Sequence, residues 1–255
     1  MPTDIRTDLS KINVVILCGG LGKRLRPVVF GRPKVLAKIG NTTILDILMI
    51  NLLVYGFKSI ILSVGYLKEQ IKNRFSFNKN YDCIVRFSEE EEPLGTGGAL
   101  KKAKPLIRSS PFMVMNGDSI CKIDFRSFID FHVEKKSLLS IVLARSRATQ
   151  DYGSVNLNSS QRIVSFNEKV CTQSDLINAG VYAMEKDIFC LMPKGNQFSL
   201  ERDVFPQIIN RRCYGFLTES ELIDIGTPER YKKAKNMIER EIQSRKGMDN
   251  ANKFW

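Results

Sequence analysis

The 255-residue sequence has few of the side chains from which proteins build zinc centres, disulfide scaffolds and membrane segments. Its single histidine, His132, excludes the H-E-x-x-H metalloproteases and the three-histidine zinc centres. The six cysteines show no C-x-x-C spacing, which argues against a zinc site and a disulfide framework and predicts reduced thiols. No stretch approaches the roughly 20 apolar residues of a membrane-spanning helix. We expect His132 to be a packing or helix-surface residue.

The charge of the chain is strongly positive, at a formal +12 from 39 Lys and Arg against 27 Asp and Glu. Such an excess invites a nucleic-acid interpretation. The excess is spread along the chain, however, and residues 229–247 interleave acids and bases at the i,i+4 spacing of a solvated helix face. We therefore expect a small polyanionic ligand, and neither nucleic acid nor membrane as a partner. The polar start MPTDIRTDLSK is unlike a secretory signal and predicts a cytoplasmic protein.

The order of apolar runs predicts an α/β fold. In the first half, predicted strands at 13–18, 59–64, 83–88, 112–116 and 139–144 alternate with predicted helices at 44–55, 67–75, 97–104 and 125–135. This alternation predicts a Rossmann-like, mainly parallel central sheet with helices on both faces. Ligands of such sheets bind beyond the carboxyl ends of the strands, which places residues 17–36 and 116–119 on one rim.

After residue 150 the pattern becomes mixed. Short strands are predicted at 153–156, 162–167, 179–184 and 214–218, and helices at 187–192, 202–209 and 227–245. The sequence contains no linker rich in glycine, proline or serine and no internal repeat. We predict a single domain over residues 1–255, with a core at about 12–246 and polar, frayed ends.

A cationic, glycine-rich loop follows the first predicted strand. Residues 17–36, LCGGLGKRLRPVVFGRPKVL, hold four glycines and five cationic side chains. They lack the G-x-G-x-x-G turn of dinucleotide-binding folds, and they lack the first glycine and the Ser or Thr of a Walker loop. The pattern favours a loop whose backbone N–H groups bind phosphate while Lys23 and Arg24 neutralise its charge. The alternative is an ordinary strand-to-helix turn.

Seven motifs follow one another along the chain: G-G-x-G-x-R-L-x-P from residue 19, PKVL at 33–36, EEPLGTGGAL at 91–100, MNGDS at 115–119, NEK at 167–169, NAGVY at 178–182 and DIGTPE at 224–229. This ordered set resembles the sugar-1-phosphate nucleotidylyltransferases, or nucleotide-sugar pyrophosphorylases, over about residues 12 to 235. The resemblance implies the nucleotide-diphospho-sugar transferase fold, which is GT-A-like. It also implies that a sugar 1-phosphate oxygen attacks the α-phosphorus of an NTP and that pyrophosphate leaves.

By this resemblance, Asp118 and Asp224 hold Mg²⁺. The metal ion and the cationic side chains of the site together neutralise the two anionic reactants. Asp224 lies in the apolar run LIDIGT, a costly place for an unpaired carboxylate, whereas a helix N-cap is the alternative for Asp118. Arg24 and Lys34 are the implied catalytic residues. Lys34 reaches the α-phosphate, while Arg24 and Lys23 bind the β- and γ-phosphates. Many relatives carry threonine at the position of Lys23.

The resemblance also assigns residues to the two substrates. The nucleotide-binding residues are Leu17, Gly19, Gly20, Gly22, Lys23, Arg24, Gly95, Thr96, Gly97, Asn116 and Gly117. The residues that bind the sugar phosphate are Glu168, Lys169, Asn178 and Gly180. A purely structural turn is the alternative for residues 94–98, and Val170 stands where the family usually has proline.

Within the family, the motif forms are most similar to short guanylyltransferases that act on manno-heptose 1-phosphate or mannose 1-phosphate. The alternatives are a uridylyl- or thymidylyltransferase that acts on glucose 1-phosphate or N-acetylmuramate 1-phosphate, a non-catalytic regulatory relative, and a basic nucleic-acid-binding module. A regulatory relative would be expected to lack catalytic groups, yet Arg24, Lys34, Asp118 and Asp224 are all present. A homodimer is a compatible assembly.

Overall fold

The computed structural model describes residues 7–76, 81–146, 152–168 and 174–246. The α-helices of this part are α1 (Ile44–Val54), α2 (Lys68–Ser76), α3 (Gly95–Ala103), α4 (Phe125–Glu134), α5 (Phe205–Ile208) and α6 (Pro228–Lys246). The strands are β1 (Asn13–Leu17), β2 (Lys38–Ile39), β3 (Thr42–Thr43), β4 (Ser59–Val64), β5 (Ile84–Glu89), β6 (Phe112–Asn116), β7 (Ser119–Ile120), β8 (Leu139–Arg145), β9 (Gly153–Leu157), β10 (Ile163–Glu168), β11 (Leu176–Met184), β12 (Cys213–Leu217) and β13 (Ile223–Asp224).

Nine strands form a mixed central sheet in the order β10-β9-β11-β6-β1-β4-β5, with β8 pairing with β11 and β12 pairing with β8. The half that contains β6, β1, β4 and β5 is parallel throughout. Strand β11 runs antiparallel to both β6 and β8 and joins this half to the remaining strands. The predicted mixed, Rossmann-like sheet is thereby confirmed.

The two faces of the sheet carry separate hydrophobic cores because side chains alternate along a strand. On β1, Val14 and Ile16 join the core that α1, α2, α4 and α6 cover, whereas Val15 joins the core beneath α3 and α5. All three side chains are fully buried, and each such burial contributes about 1.5–3 kcal/mol. Helices therefore cover both faces, as predicted.

A buried carboxylate links the start of α1 to α2. Thr43 and Asp46 form a capping box, in which the Thr43 N–H donates to Asp46 Oδ2 at 2.9 Å and the Asp46 N–H donates to Thr43 Oγ1 at 3.2 Å. Arg74 Nε donates to Asp46 Oδ1 at 2.9 Å. Burial raises the pKa of Asp46, but the hydrogen bonds from Arg74 and Thr43 outweigh it, so the pKa is lowered overall.

The candidate site lies at the rim where β1 and β6 end. Leu17 pairs with Asn116 in the parallel ladder, so residues 18–34 and 117–118 leave the sheet at the same edge. The short antiparallel ladder of β7 and β13 is at this rim too, and the Ile225 N–H donates to the Asp118 carbonyl at 3.2 Å. The prediction that the cationic loop and the NGDS stretch share one rim is confirmed.

The second half differs from the predicted elements in helix type. The helix predicted at 187–192 is a 3₁₀ helix over Lys186–Leu191, and it ends where Met192, which precedes a proline, is extended. The helix predicted at 202–209 begins as a π-helical turn, Leu200–Val204, and continues as α5. The two-residue strands β2, β3, β7 and β13 were not predicted because two residues show no period.

His132 and the buried cysteines of the described part lie in the protein interior. His132 is fully buried on α4, with Nδ1 2.9 Å from Ser140 Oγ, so it is a packing residue and not a surface residue. Burial raises the pKa of Cys121 and Cys213 to about 12, which keeps both thiols protonated. The described cysteines, Cys18, Cys83, Cys121, Cys190 and Cys213, are free. Among the described residues, no helix combines the length and the apolarity that crossing a membrane requires.

Candidate active site

A cleft of about 370 Å³ opens at the rim beyond β1 and β6. Predicted nucleotide-binding residues that line it are Leu17, Gly19, Gly20, Lys23, Gly95, Thr96 and Asn116. Its further lining residues are Leu21, Glu90, Pro93, Ala99 and Asp118. One space is therefore surrounded by three segments that are far apart in sequence. They are the cationic loop, the second glycine loop (residues 94–98) and the end of β6.

A buried leucine anchors the cationic loop. Leu25 is fully buried between exposed Arg24 and Arg26, and its N–H donates to the Gly22 carbonyl at 2.9 Å. Gly22 has φ +57°, and a Cβ built on it would lie 3.1 Å from Lys34 Cβ. Gly22 therefore permits a turn against Lys34 and is not among the residues that line the cleft.

Lys34 and Asp118 form an ion pair at the mouth of the cleft. Lys34 Nζ lies 2.5 Å from Asp118 Oδ2, with side chains that are 14% and 41% exposed, respectively. Lys34 follows Pro33, whose φ of −59° starts the 3₁₀ turn Lys34–Leu36. Asp118 precedes strand β7 and no helix begins there, so the N-cap alternative is wrong.

Asp224 is held at the same rim by the β7–β13 ladder, in which it pairs with Ser119. Its carboxylate accepts hydrogen bonds from the Gly226 N–H at 2.8 Å and from Arg230 Nη1 at 3.3 and 3.4 Å, and it contacts the Tyr152 hydroxyl. The cation predicted for this carboxylate is Mg²⁺. In the structure, Arg230 is its cationic partner.

Arg24 lies beside Gly226. A Cβ built on Gly226 would lie 3.7 Å from Arg24 Nη2 and 2.8 Å from Asp224 Oδ1, so both groups flank that glycine. Arg24 is exposed and is not among the residues that line the cleft, whereas Lys23 is. Of these two cations, Lys23 therefore lies in the cleft lining and Arg24 lies outside it.

The second glycine loop packs against the chain at 196–198. Gly95 has φ +73°, and a Cβ built on it would lie 2.6 Å from the Phe198 carbonyl oxygen. A Cβ on Gly97 would overlap the Phe198 ring, and one on Gly98 would overlap the Asn196 carbonyl. The structural alternative therefore explains Gly97 and Gly98, while Gly95 and Thr96 also line the cleft.

Gly117 has a packing role between the strand ends. Its N–H donates to the Leu17 carbonyl at 3.0 Å, and a Cβ would lie 2.8 Å from that oxygen and 3.0 Å from Val35 Cγ1. No side chain fits there without moving β1 away from β6.

The predicted sugar-phosphate residues lie around an irregularity in β11. Asn178 is buried, and its Oδ1 accepts from the Gly180 N–H at 2.9 Å. Gly180 has φ +73°, and a Cβ there would lie 2.6 Å from Asn116 Nδ2, so this bulge faces the nucleotide side. Glu168 ends β10, opposite Gly153. Lys169 and Val170 lie outside the described residues.

Sequence patterns missed a buried carboxylate in the cleft. Glu90 lines the cleft at 6% exposure, and a Cβ on Gly19 would overlap its Oε1. The Leu94 N–H donates to Oε2 at 3.1 Å, and Ser63 Oγ donates to Oε1 at 3.3 Å. Burial raises the pKa of Glu90 despite these hydrogen bonds. The available signal was the alternation of side chains, which places Ser88 and Glu90 on one face.

Comparison with known proteins assigns the chain to a family. A family model described as nucleotidyl transferase matches residues 13–241, which is most of the chain. The chain belongs to the nucleotidyl transferase family.

Two curated relatives and one solved structure match this nucleotidyl transferase over most of their own lengths. The D-glycero-α-D-manno-heptose 1-phosphate guanylyltransferase of Aneurinibacillus thermoaerophilus is 35% identical over 91% of this chain and 100% of that protein. The enzyme of the same name from Campylobacter jejuni is 33% identical over 86% and 97%. HddC from Yersinia pseudotuberculosis is 36% identical over 89% and 99%, with a TM-score of 0.79, and has also been solved in complex with GMP-PN.

The site of this nucleotidyl transferase suits a reaction between two polyanions. Lys23 and Asp118 line the cleft, and Lys34 pairs with Asp118. Arg24 and Asp224 both lie beside Gly226. In-line displacement at phosphorus depends on positioning and charge neutralisation more than on a covalent nucleophile. The buried packing role of the single histidine is consistent with such chemistry.

Proposed function

We propose that this nucleotidyl transferase transfers a guanylyl group from GTP to a sugar 1-phosphate, D-glycero-D-manno-heptose 1-phosphate or a related hexose 1-phosphate. The products are a GDP-sugar and pyrophosphate. The names of the heptose 1-phosphate guanylyltransferases and the GMP-PN complex of HddC support this proposal. We further propose that one domain, residues 1–255, carries the activity, and that it acts in the cytoplasm, where NTPs are made.

The buried carboxylate of Glu90 in the cleft is the feature that favours guanine. Guanine presents two adjacent donors, N1–H and N2–H₂, and a carboxylate with two oxygens accepts both. Uracil and thymine present one N–H between two carbonyl oxygens, which a buried carboxylate repels. Cytosine and adenine present a ring-nitrogen acceptor beside their amino group. A buried carboxylate in the cleft, oriented by Ser63 and the Leu94 N–H, therefore suits guanine better than any other common base.

In the proposed reaction, a phosphate oxygen of the sugar 1-phosphate forms a bond to the α-phosphorus of GTP. The bond from that phosphorus to the bridging oxygen breaks, and pyrophosphate leaves with the electron pair. Lys34 moves from Asp118 to the α-phosphate oxygens and stabilises the charge that develops there. Lys23 and Arg24 bind the β- and γ-phosphates. Their positive charge stabilises the negative charge that develops on the leaving pyrophosphate.

The carboxylates of Asp118 and Asp224 fit a magnesium site. Both are hard oxygen ligands, and their backbones are joined across the β7–β13 ladder. Among the described residues, no cluster of three or more His, Cys, Asp or Glu could hold a metal, so substrate phosphates would complete the coordination. When bound, Mg²⁺ neutralises triphosphate oxygens.

The sugar 1-phosphate is proposed to lie against the bulge of β11. Asn178 and Gly180 form its wall, Glu168 accepts hydrogen bonds from sugar hydroxyls, and Lys169 pairs with the phosphate. The contact between Gly180 and Asn116 supports this arrangement, since it brings the wall beside the cleft.

A matrix of four NTPs against heptose, mannose, glucose and N-acetylmuramate 1-phosphates, scored by pyrophosphate release, tests the proposal. We expect GTP with a manno-configured sugar phosphate to give the highest kcat/KM. Turnover of UTP or dTTP with glucose or N-acetylmuramate 1-phosphate would overturn it, as would no turnover with any pair. The Asp118→Asn variant serves as the background control.

A further inference from the structure

A chain of hydrogen bonds connects the second glycine loop, at Thr96, with the bulge of β11. Its centre is Glu201, which is 8% exposed and lies on the π-helical turn Leu200–Val204. Neither the cleft lining nor the sequence motifs include this residue. π-Helical turns occur often at functional sites because the extra residue redirects a side chain.

On the nucleotide side, Glu201 holds the first turn of α3. Thr96 Oγ1 donates to Glu201 Oε2 at 2.6 Å and accepts from the Leu200 N–H at 2.9 Å. Ser199 Oγ donates to the same carboxylate oxygen at 2.8 Å. Because Thr96 lines the cleft, its side chain and the backbone that follows Gly95 are positioned by this carboxylate.

On the sugar side, Glu201 holds the bulge through two further residues. Tyr182 OH donates to Glu201 Oε1 at 3.1 Å, and Asn178 Nδ2 donates to the Tyr182 hydroxyl at 2.8 Å. Asn178 Oδ1 in turn accepts from the Gly180 N–H at 2.9 Å. Each side chain in this hydrogen-bond network has a partner for the donor or acceptor described. A buried network that is satisfied in this way holds its side chains in fixed positions.

The direction of the chain is set by a protonated phenol. Burial and the nearby carboxylate of Glu201 raise the pKa of Tyr182 well above its usual value. The hydroxyl therefore stays a donor to Glu201, and its oxygen is left to accept from Asn178. Thr96 and Tyr182 thus donate to different oxygens of one carboxylate.

We propose that Glu201 is a positioning residue that couples the NTP-binding loop to the strand that carries the sugar 1-phosphate site. This inference rests on the proposed function for the identity of the two sides. The carboxylate touches neither substrate. Its two oxygens fix Thr96 and the Asn178–Gly180 bulge relative to each other, so that the α-phosphorus and the attacking oxygen approach in line.

The test uses Glu201→Gln in the full-length protein, with Glu185→Gln as the matched control. Glutamine turns one acceptor into a donor, so either the Tyr182 hydroxyl or the Thr96 and Ser199 hydroxyls face an N–H₂ group. Glu185 is also a partly buried carboxylate, with a serine hydroxyl and His132 as partners, but it follows the far end of β11, at the rim opposite the cleft. We expect Glu201→Gln to lower kcat by about 10- to 100-fold, and Glu185→Gln to lower only the Tm.

A double-mutant cycle separates coupling from simple loss of stability. Thr96→Val and Tyr182→Phe each remove one hydroxyl with little change of shape. We expect each to lower kcat/KM, the pair to lower it less than the product of the single effects, and Glu201→Gln to abolish that non-additivity. Calorimetry with a GTP analogue that is not cleaved between its α- and β-phosphates should show that sugar phosphate tightens binding of the analogue to the wild type and not to Glu201→Gln.

Two results would overturn the positioning role: Glu201→Gln kinetics equal to those of Glu185→Gln, or single effects that multiply. A wild-type enzyme that prefers another NTP or sugar phosphate would instead refute the proposed function, and the same cycle measured on that preferred pair would still decide the role of Glu201.

Discussion

Glu90→Gln alters the charge of the cleft while keeping its shape. In the structure, Glu90 Oε2 accepts from the Leu94 N–H, and Oε1 lies against Gly19 and the Ser63 hydroxyl. Glutamine can keep the hydrogen bond from Leu94 with its remaining oxygen. Its amide nitrogen then faces a donor of guanine, so one favourable contact is lost and an unfavourable one is created.

The size of the effect follows from the number of hydrogen bonds. A hydrogen bond to a charged group contributes about 1.5–3 kcal/mol. Loss of about 2–3 kcal/mol corresponds to a decrease of roughly 30- to 150-fold in kcat/KM for GTP. ITP lacks the N2 amino group and cannot form one of the two bonds, so the wild type should prefer GTP over ITP by about 10- to 100-fold. In Glu90→Gln this preference should fall close to unity.

Steady-state pyrophosphate release with GTP and ITP measures both effects. Burial raises the pKa of Glu90, so GTP recognition should weaken as the pH falls through that raised pKa, and Glu90→Gln should remove this acid limb. A carboxyl whose folded pKa is raised costs stability once it ionises, so the variant should not lower the Tm at neutral pH. Glu91→Gln, at an exposed neighbour paired with Lys68, is the matched control. An unchanged GTP-to-ITP ratio in Glu90→Gln would refute the assignment of Glu90 to guanine.

Three further outcomes are expected. Asp118→Asn should lower magnesium-dependent turnover by about 100-fold or more with its circular dichroism spectrum unchanged, and near-normal turnover would remove Asp118 from the metal site. Gly98→Ala should cost about 2–3 kcal/mol in urea unfolding because its Cβ overlaps the Asn196 carbonyl, whereas Gly195→Ala, in open space, should be neutral. Arg74→Met should lower the free energy of unfolding by about 2–3 kcal/mol, because it leaves the buried Asp46 carboxylate without its cation. The loss is limited because Arg74 itself is partly exposed to solvent. The pair stabilises the protein above the unfolded pKa of about 3.9 and loses this effect as the pH falls through the lowered folded pKa, so Arg74→Met should flatten the acid side of the stability profile.

Most of the sheet was predictable because its signals are local. The buried runs at β1, β4 and β6 are written in consecutive residues, and their predicted bounds differ from the observed ones by at most one position. The shared rim of the cationic loop and Asp118 also followed, since parallel strands end at one edge. Helix type in the second half did not follow, because Leu200–Val204 adopts a π-helical turn whose spacing no apolar period records.

The fold class, the cationic loop and the candidate residues in the motifs could be predicted from the order of amino acids, because composition, period and motif order are properties of neighbouring positions. Which acids are buried, and what they face, depends on the tertiary structure. Glu90 lies in a run of four acids yet is enclosed by Gly19 and Leu94, and Glu201 joins Thr96 to Tyr182 across more than eighty residues of chain. Such contacts depend on how distant strands and turns pack, and no local pattern encodes a partner that far away.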